Sequence, residues 1–274
     1  MDRRPIGVFD SGLGGLTALR MLARLMPEED LVYFGDTGRV PYGGRSRNTI
    51  IRYARQDVAF LSSFDPKAVV VACGTVSTTA LDILQQECRM PVFGVVESAA
   101  RAAAKASTGG LVGLIGTQAT IHSGAYERAL HRLRPEIQVT AEACPLLVPL
   151  VENGRYRPGD QVAELVTAEY MAPLKAAGVD TLILGCTHYP LLRELMAGQM
   201  GPEVALIDVG ESCAHWVAAR LDQMGLRTDR TAAGRRRYFV SDTTGGFALL
   251  ASSFLGEDVS GEVEQVDISL YGQV

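Results

Sequence analysis

Eight short aliphatic runs, each leading through a turn of small residues into a longer amphipathic stretch, limit this chain to one fold class. In the first part of the sequence "PIGVFD" (5–10), "DLVYFGD" (30–36), "AVVVAC" (68–73) and "PVFGVVE" (91–97) precede helix-like segments. In the second part "GLVGLIG" (110–116), "QVTAEAC" (138–144), "DTLILGC" (180–186) and "VALIDV" (204–209) do the same. Strands that alternate with helices pair in parallel, because each helical crossover returns the chain to the end of the sheet from which it left. The expectation is an α/β protein.

A faint internal repeat refines that expectation. "FDPKAVVVACGT" (64–75) and "AGVDTLILGCTH" (177–188) each carry a turn, an aliphatic strand and a cysteine at the same offset, and each is followed at a similar distance by a Glu-Ser pair, Glu97-Ser98 and Glu211-Ser212. At 274 residues the chain also lies where single cores stop growing, about 250–300 residues. Two pseudo-symmetric domains follow, each a largely parallel sheet flanked by helices, one built from 1–97 plus 209–274 and the other from 98–208. Ligands of open parallel sheets bind beyond the carboxyl ends of the strands. Pairing the halves about a pseudo-twofold axis turns both cysteine-bearing ends toward one interdomain cleft, with a thiol on each side of a single ligand.

The five cysteines are odd in number and lack metal-type spacing, so free thiols are expected rather than a disulfide frame or a zinc site. A cysteine after an aliphatic strand is ordinarily a small buried hydrophobe. Cys73 and Cys186 differ in their company: Gly74, Thr75 and Ser77 follow the first, Thr187 and His188 the second. Helix N-termini are expected after both turns, and their dipoles would lower a thiol pKa from its usual value of about 8.5. Cys88, Cys144 and Cys213 have no such neighbours and are expected to be structural.

Other segments supply candidate partners. "GVFDSGLGGLT" (7–17) lacks the G-x-G-x-x-G spacing of a dinucleotide site, and its Asp10 would repel a pyrophosphate. Asp10 and Ser11 can instead reach the cleft from the first strand, although an aspartate there serves equally well as a helix cap. "YFGDTGRVPYGGRS" (33–46) presents backbone amides and a phenol around Pro41, Tyr42 and Gly43, as ligand-binding loops on α/β scaffolds do. Glu152 lies in a polar break where a glutamate is ordinarily just solvated. The net charge of −5 and the short basic run at 234–239 argue against nucleic acid as a partner. No apolar run is long enough to cross a bilayer, and the N-terminus has no secretory h-region. A cytoplasmic location is expected.

Two thiols on opposite faces of a tetrahedral carbon can remove a proton from one side and deliver one to the other, which is racemisation. A redox couple would want C-x-x-C proximity, and a cysteine hydrolase could use Cys186 with His188 but leaves Cys73 idle. A pyridoxal route needs a central lysine, whereas Lys67 precedes a strand and Lys105 and Lys175 fall in helical patterns. No cofactor and no metal are expected.

"IGVFDSGLGGLT", "YFGDTGRVPYG", "VVACGTVS", "GVVE", "LGCTHYPLL" and "YFVSD" follow one another in the order seen in bacterial glutamate racemases, and the resemblance runs over essentially the whole chain. It implies cofactor-independent interconversion of L- and D-glutamate for peptidoglycan synthesis, with a homodimer as the expected assembly. By the same resemblance Cys73 acts on the D-enantiomer and Cys186 on the L-enantiomer, assisted by Asp10, His188 and Glu152. Ser11, Pro41, Tyr42, Gly43, Thr75 and Thr187 match substrate-binding positions. Gly74 departs from the pattern, since the family usually has Asn there; its backbone N–H remains for the substrate. An aspartate racemase, another two-cysteine relative or a ligand-binding protein that has lost catalysis stay open on these residues alone. The chain starts almost at its first strand, without the extension of members regulated by a cell-wall precursor, so constitutive activity is expected.

Overall fold

The structure, a computed structural model, describes residues 1–256, 258, 259 and 261–272. Strand β1 (Ile6–Asp10) leads through α1 (Leu16–Leu25) to β2 (Leu31–Gly35), and α2 (Arg47–Ser62) returns the chain to β3 (Ala68–Val71). The short helices α3 (Gly74–Thr79) and α4 (Leu81–Glu87) precede β4 (Val92–Gly94), and α5 (Val95–Ala106) carries the chain into a second sheet. There β5 (Leu111–Gly116), α6 (Gln118–His122), α7 (Ala125–Leu133), β6 (Gln138–Ala143), α8 (Leu147–Glu152) and α9 (Gln161–Ala176) lead to β7 (Thr181–Leu184). After α10 (Arg193–Met200) and β8 (Ala205–Asp208), helix α11 (Val209–Gln223) returns to the first sheet, which β9 (Arg236–Val240), α12 (Thr244–Leu255) and β10 (Val263–Gln265) complete.

The repeat seen in the sequence is a repeat of topology. The first sheet has the order β10-β9-β2-β1-β3-β4 and the second β6-β5-β7-β8, with parallel pairing throughout. Strands β1 to β4 therefore occupy the same relative places as β5 to β8, and the two cysteines follow equivalent strands, β3 and β7. The Glu-Ser pairs fall at the third and fourth residues of the equivalent helices α5 and α11. One expected boundary is wrong: "PVFGVVE" is strand only over Val92–Gly94, and Val95 already begins α5. Burial of Val95, Val96 and Ala99 in the core outweighs the β-propensity of the two valines.

The halves share a hydrophobic core. One apolar cluster runs from Val8, Leu16 and Val70 of the first half through Val95, Ala99 and Val217 to Leu114, Leu182 and Ile183 of the second. Helix α11 packs against both α1 and α5, and the small residues Ala99, Ala103 and Ala214 are buried with almost no exposure. A separate cluster around Phe9, Phe34, Phe60 and Phe239 fills the other face of the first sheet. Among the described residues no helix is long and apolar enough to cross a membrane.

At the amino end of β3, remote from the cysteines, Lys67 is fully buried against Glu29. Its Nζ lies 2.5 Å from Glu29 Oε2 and donates to the Asp2 carbonyl at 2.7 Å, while Glu29 Oε1 accepts from the Thr228 N–H at 2.9 Å. Removing one partner from a buried pair leaves the other charge unsatisfied. Glu29→Ala is therefore expected to destabilise the fold by about 3–5 kcal/mol in urea titrations. A Glu29→Leu, Lys67→Met double variant should recover most of that loss, which separates charge burial from mere loss of packing.

Candidate active site

The carboxyl ends of β1 and β3 in one half, and of β5 and β7 in the other, converge on one buried cluster. Cys73 and Cys186 are only 4% and 8% exposed. The Cys73 Sγ lies 3.5 Å from Ser11 Oγ, and the Cys186 Sγ lies 3.8 Å from His188 Nδ1. His188 Nε2 in turn meets Glu152 Oε1 at 3.2 Å. The halves are tied across the cleft where Thr187 Oγ1 donates to Asp10 Oδ1 at 3.4 Å and where the hydroxyls of Thr75 and Thr117 lie 3.1 Å apart.

Glycines let the two backbones come this close. A Cβ on Gly14 would collide with the Thr187 hydroxyl and stand 2.7 Å from His188 Nδ1. A Cβ on Gly74 would stand 2.5 Å from the Gly185 carbonyl oxygen, so any side chain at 74 requires the backbone at this contact to shift. Gly43 approaches Thr117 in the same way, with its Cβ position 2.9 Å from that residue's Cβ.

The electrostatics of the two thiols differ. Burial, and then the Asp10 carboxylate, push the Cys73 thiol up to about 12, with the Cys186 charge adding to the rise and Ser11 and the Val76 N–H opposing it. The expected acidification of Cys73 by a helix N-terminus is thus overturned: α3 does start at Gly74, but desolvation outweighs six residues of helix dipole. Nor does an α-helix follow Cys186, since a 3-10 turn over Tyr189–Leu192 intervenes before α10. There the imidazole of His188 stands beside the sulfur instead. Burial disfavours the His188 imidazolium, but hydrogen bonds to Cys186 and Glu152 and the charges of Cys186 and Asp10 prevail and raise it to about 10. His188 is accordingly cationic at neutral pH, beside one sulfur. Burial also raises Asp10 above the ordinary carboxylate range, against the pull of His188, the Gly12 and Gly15 N–H groups and Thr187.

Asp10 does not cap α1, whose N-cap is Gly15 with no side-chain bond; its Oδ2 accepts from the Gly12 N–H at 2.9 Å in the preceding turn while Oδ1 faces Thr187 across the cleft. Tyr42 is placed differently from expectation. Its phenol turns away into a buried cluster, hydrogen-bonded to Asp36 and, at 3.1 Å, to Asp57, with Arg39 bridging the same carboxylates at 2.6 and 3.0 Å. The phenol therefore anchors the 36–44 loop, whose Gly43 lies against Thr117 of the other half. Pro41 is exposed. Cys144 and Cys213 are buried and Cys88 is half-buried, each pushed up by burial, in keeping with inert thiols.

Sequence reasoning missed Thr117 and Thr120, whose hydroxyls lie 3.0 Å apart beside Thr75. The signal was present: Thr117 is the first residue after β5, as Ser11 is the first after β1, so extending the repeat by one strand pair finds it.

Comparison with known proteins places these features in context. Residues 18–216 match the family model described as Asp/Glu/Hydantoin racemase. A glutamate racemase of Geobacter metallireducens is 46% identical over 98% of each chain. Among solved structures, a glutamate racemase from Bacillus anthracis superposes with a TM-score of 0.92 at 38% identity, covering 97% of this chain and 98% of that one. One from Francisella tularensis in complex with D-glutamate gives a TM-score of 0.91 at 36% identity, over 99% and 100% of the two chains.

Proposed function

Because the chain belongs to the Asp/Glu/hydantoin racemase family, we infer that it is a glutamate racemase that interconverts L- and D-glutamate by two proton transfers between thiols. The observation that carries this reading is the pair of buried cysteines at equivalent strand ends of the two halves, each with its own polar partner. A hydrolase or a disulfide couple leaves one half of that arrangement unused.

In the direction from L to D, the Cys186 thiolate, stabilised by the His188 imidazolium and through it by Glu152, takes the α-proton. The electron pair left on the α-carbon spreads into the adjacent carboxylate, which hydroxyls and backbone N–H groups around Ser11, Gly74, Thr75 and Thr187 hold. The Cys73 thiol then delivers its own proton to the opposite face, so one S–H bond breaks as one C–H bond forms. Cys73 is left as thiolate beside Asp10, whose raised affinity for protons suits it to take and return the Cys73 proton in the reverse direction. Since the enantiomers have equal free energies, kcat/KM must be equal in the two directions, and the unequal thiols can show only in kcat and KM taken separately.

Thiols that perform both transfers need no Schiff base, and Lys67 is committed to Glu29 at the far end of its strand. We read the product as D-glutamate for peptidoglycan, made in the cytoplasm by a homodimer of two-domain chains, 1–97 plus 209–274 and 98–208. Incubation with pure L-glutamate in deuterated water is expected to yield D-glutamate carrying deuterium at the α-carbon. Inversion of aspartate but not of glutamate would move the assignment to another amino-acid racemase, and no exchange with either would refute it.

A further inference from the structure

We propose that an arginine-lined cavity outside the thiol cluster is an outer binding site for the carboxylates of an acidic amino acid, and that it supplies the positive potential the inner site lacks. The proposal rests on the racemase reading. The inner site is poorly furnished for an anion. Among the described residues no lysine or arginine bonds to Asp10, Ser11, Cys73, Cys186, Thr187, His188 or Glu152, and His188 is the sole cation of that set, already matched by Glu152. Yet the substrate brings two carboxylates and one ammonium.

The missing charge stands just outside. A cavity of about 710 Å3 is lined by Arg45, Arg47, Arg128 and Arg132, with Asp82 and Glu97 as its acidic groups. Two of these guanidiniums come from the first half of the molecule and two from the second. Glu97 is held by Arg132 at 3.2 Å and by Arg101 at 2.7 Å. Arg45, Arg47 and Arg128 are exposed and have no carboxylate partner among the described residues. This concentration of positive charge occurs in a chain whose net charge is −5. Three unpaired guanidiniums around one concave space focus a field onto it.

The cavity shares its walls with the inner site. Helix α3, whose first turn carries Gly74 and Thr75, lines it with Ser77 and Thr78, and α6, capped by Thr117, lines it with Ala119. The Thr75 to Thr117 hydrogen bond joins these two helices between the thiols and the cavity. An anion in the outer space therefore stands beside the two helices that wall the thiol cluster, and one bound inside lies within the field of the outer charges at low salt.

Glutamate kinetics in an Arg45→Gln, Arg47→Gln, Arg128→Gln triple variant test the proposal. At an ionic strength of about 0.01 M, where the Debye length is about 30 Å, KM is expected to rise about fivefold while kcat stays within about twofold of the parent. At about 1 M salt, where the Debye length is about 3 Å, the two proteins should converge. Asp82→Asn should shift KM the opposite way at low salt. A triple variant with parental KM at low salt, or a KM difference that persists undiminished at 1 M, overturns the proposal. Racemisation by the parent protein in the same assay leaves the proposed function standing whichever result is obtained.

Discussion

Cys73→Ala and Cys186→Ala are each expected to lower glutamate racemisation by about 10²–10⁴-fold, the range over which a positioned acid or base contributes. In the proposed mechanism each sulfur serves one face of the α-carbon, and water cannot replace either within a cluster where both are less than a tenth exposed. Losing either thiol therefore stops inversion in both directions, since the acid of one direction is the base of the other. Both variants should fold, because removing a sulfur at a cleft leaves the strands and the shared core untouched. The measurement is the rate of change of optical rotation with each enantiomer, alongside circular dichroism of the variants. Racemisation at the parental rate by either variant would refute the two-thiol scheme.

His188→Asn should produce the next largest loss, about 10²–10³-fold. Asparagine keeps a polar contact near Cys186 and Glu152 but cannot carry the positive charge that, in the proposed mechanism, balances the sulfur as it takes the α-proton. The pH profile gives the sign independently. His188 is raised from 6.5 to about 10, so the imidazolium is present throughout the neutral range and is lost as pH rises through about 10. Activity that depends on it should fall over that window. In Glu152→Gln, which removes one of the groups that raise His188, the fall should begin at lower pH. The same linkage makes the His188 contribution to stability complete below about pH 6.5 and absent well above pH 10. A profile in Glu152→Gln that superposes on the parent would show that the carboxylate does not act through the imidazole.

Much of the fold was legible because the eight aliphatic runs are short, regularly spaced and bounded by small residues, and because the cysteine repeat marks equivalent strand ends. What escaped is set by distance in space rather than in sequence. Val95 and Val96 read as strand, and only packing between the two sheets makes them helix. The direction of the Tyr42 side chain depends on Asp57, fifteen residues away and on another element, which no local pattern reveals. Glu152 stands out through resemblance alone, since its partner His188 is 36 residues further along the chain. The Cys73 environment escapes for a related reason: helix position can be read from sequence, whereas the depth of burial and the nearness of Asp10 emerge only once β1 and β3 lie side by side.

The bare meeting of Gly74 with the Gly185 carbonyl bears on inhibitor selectivity. Compounds tuned to grip the asparagine amide that relatives usually present at this spot have no such handle in this enzyme and should lose potency against it.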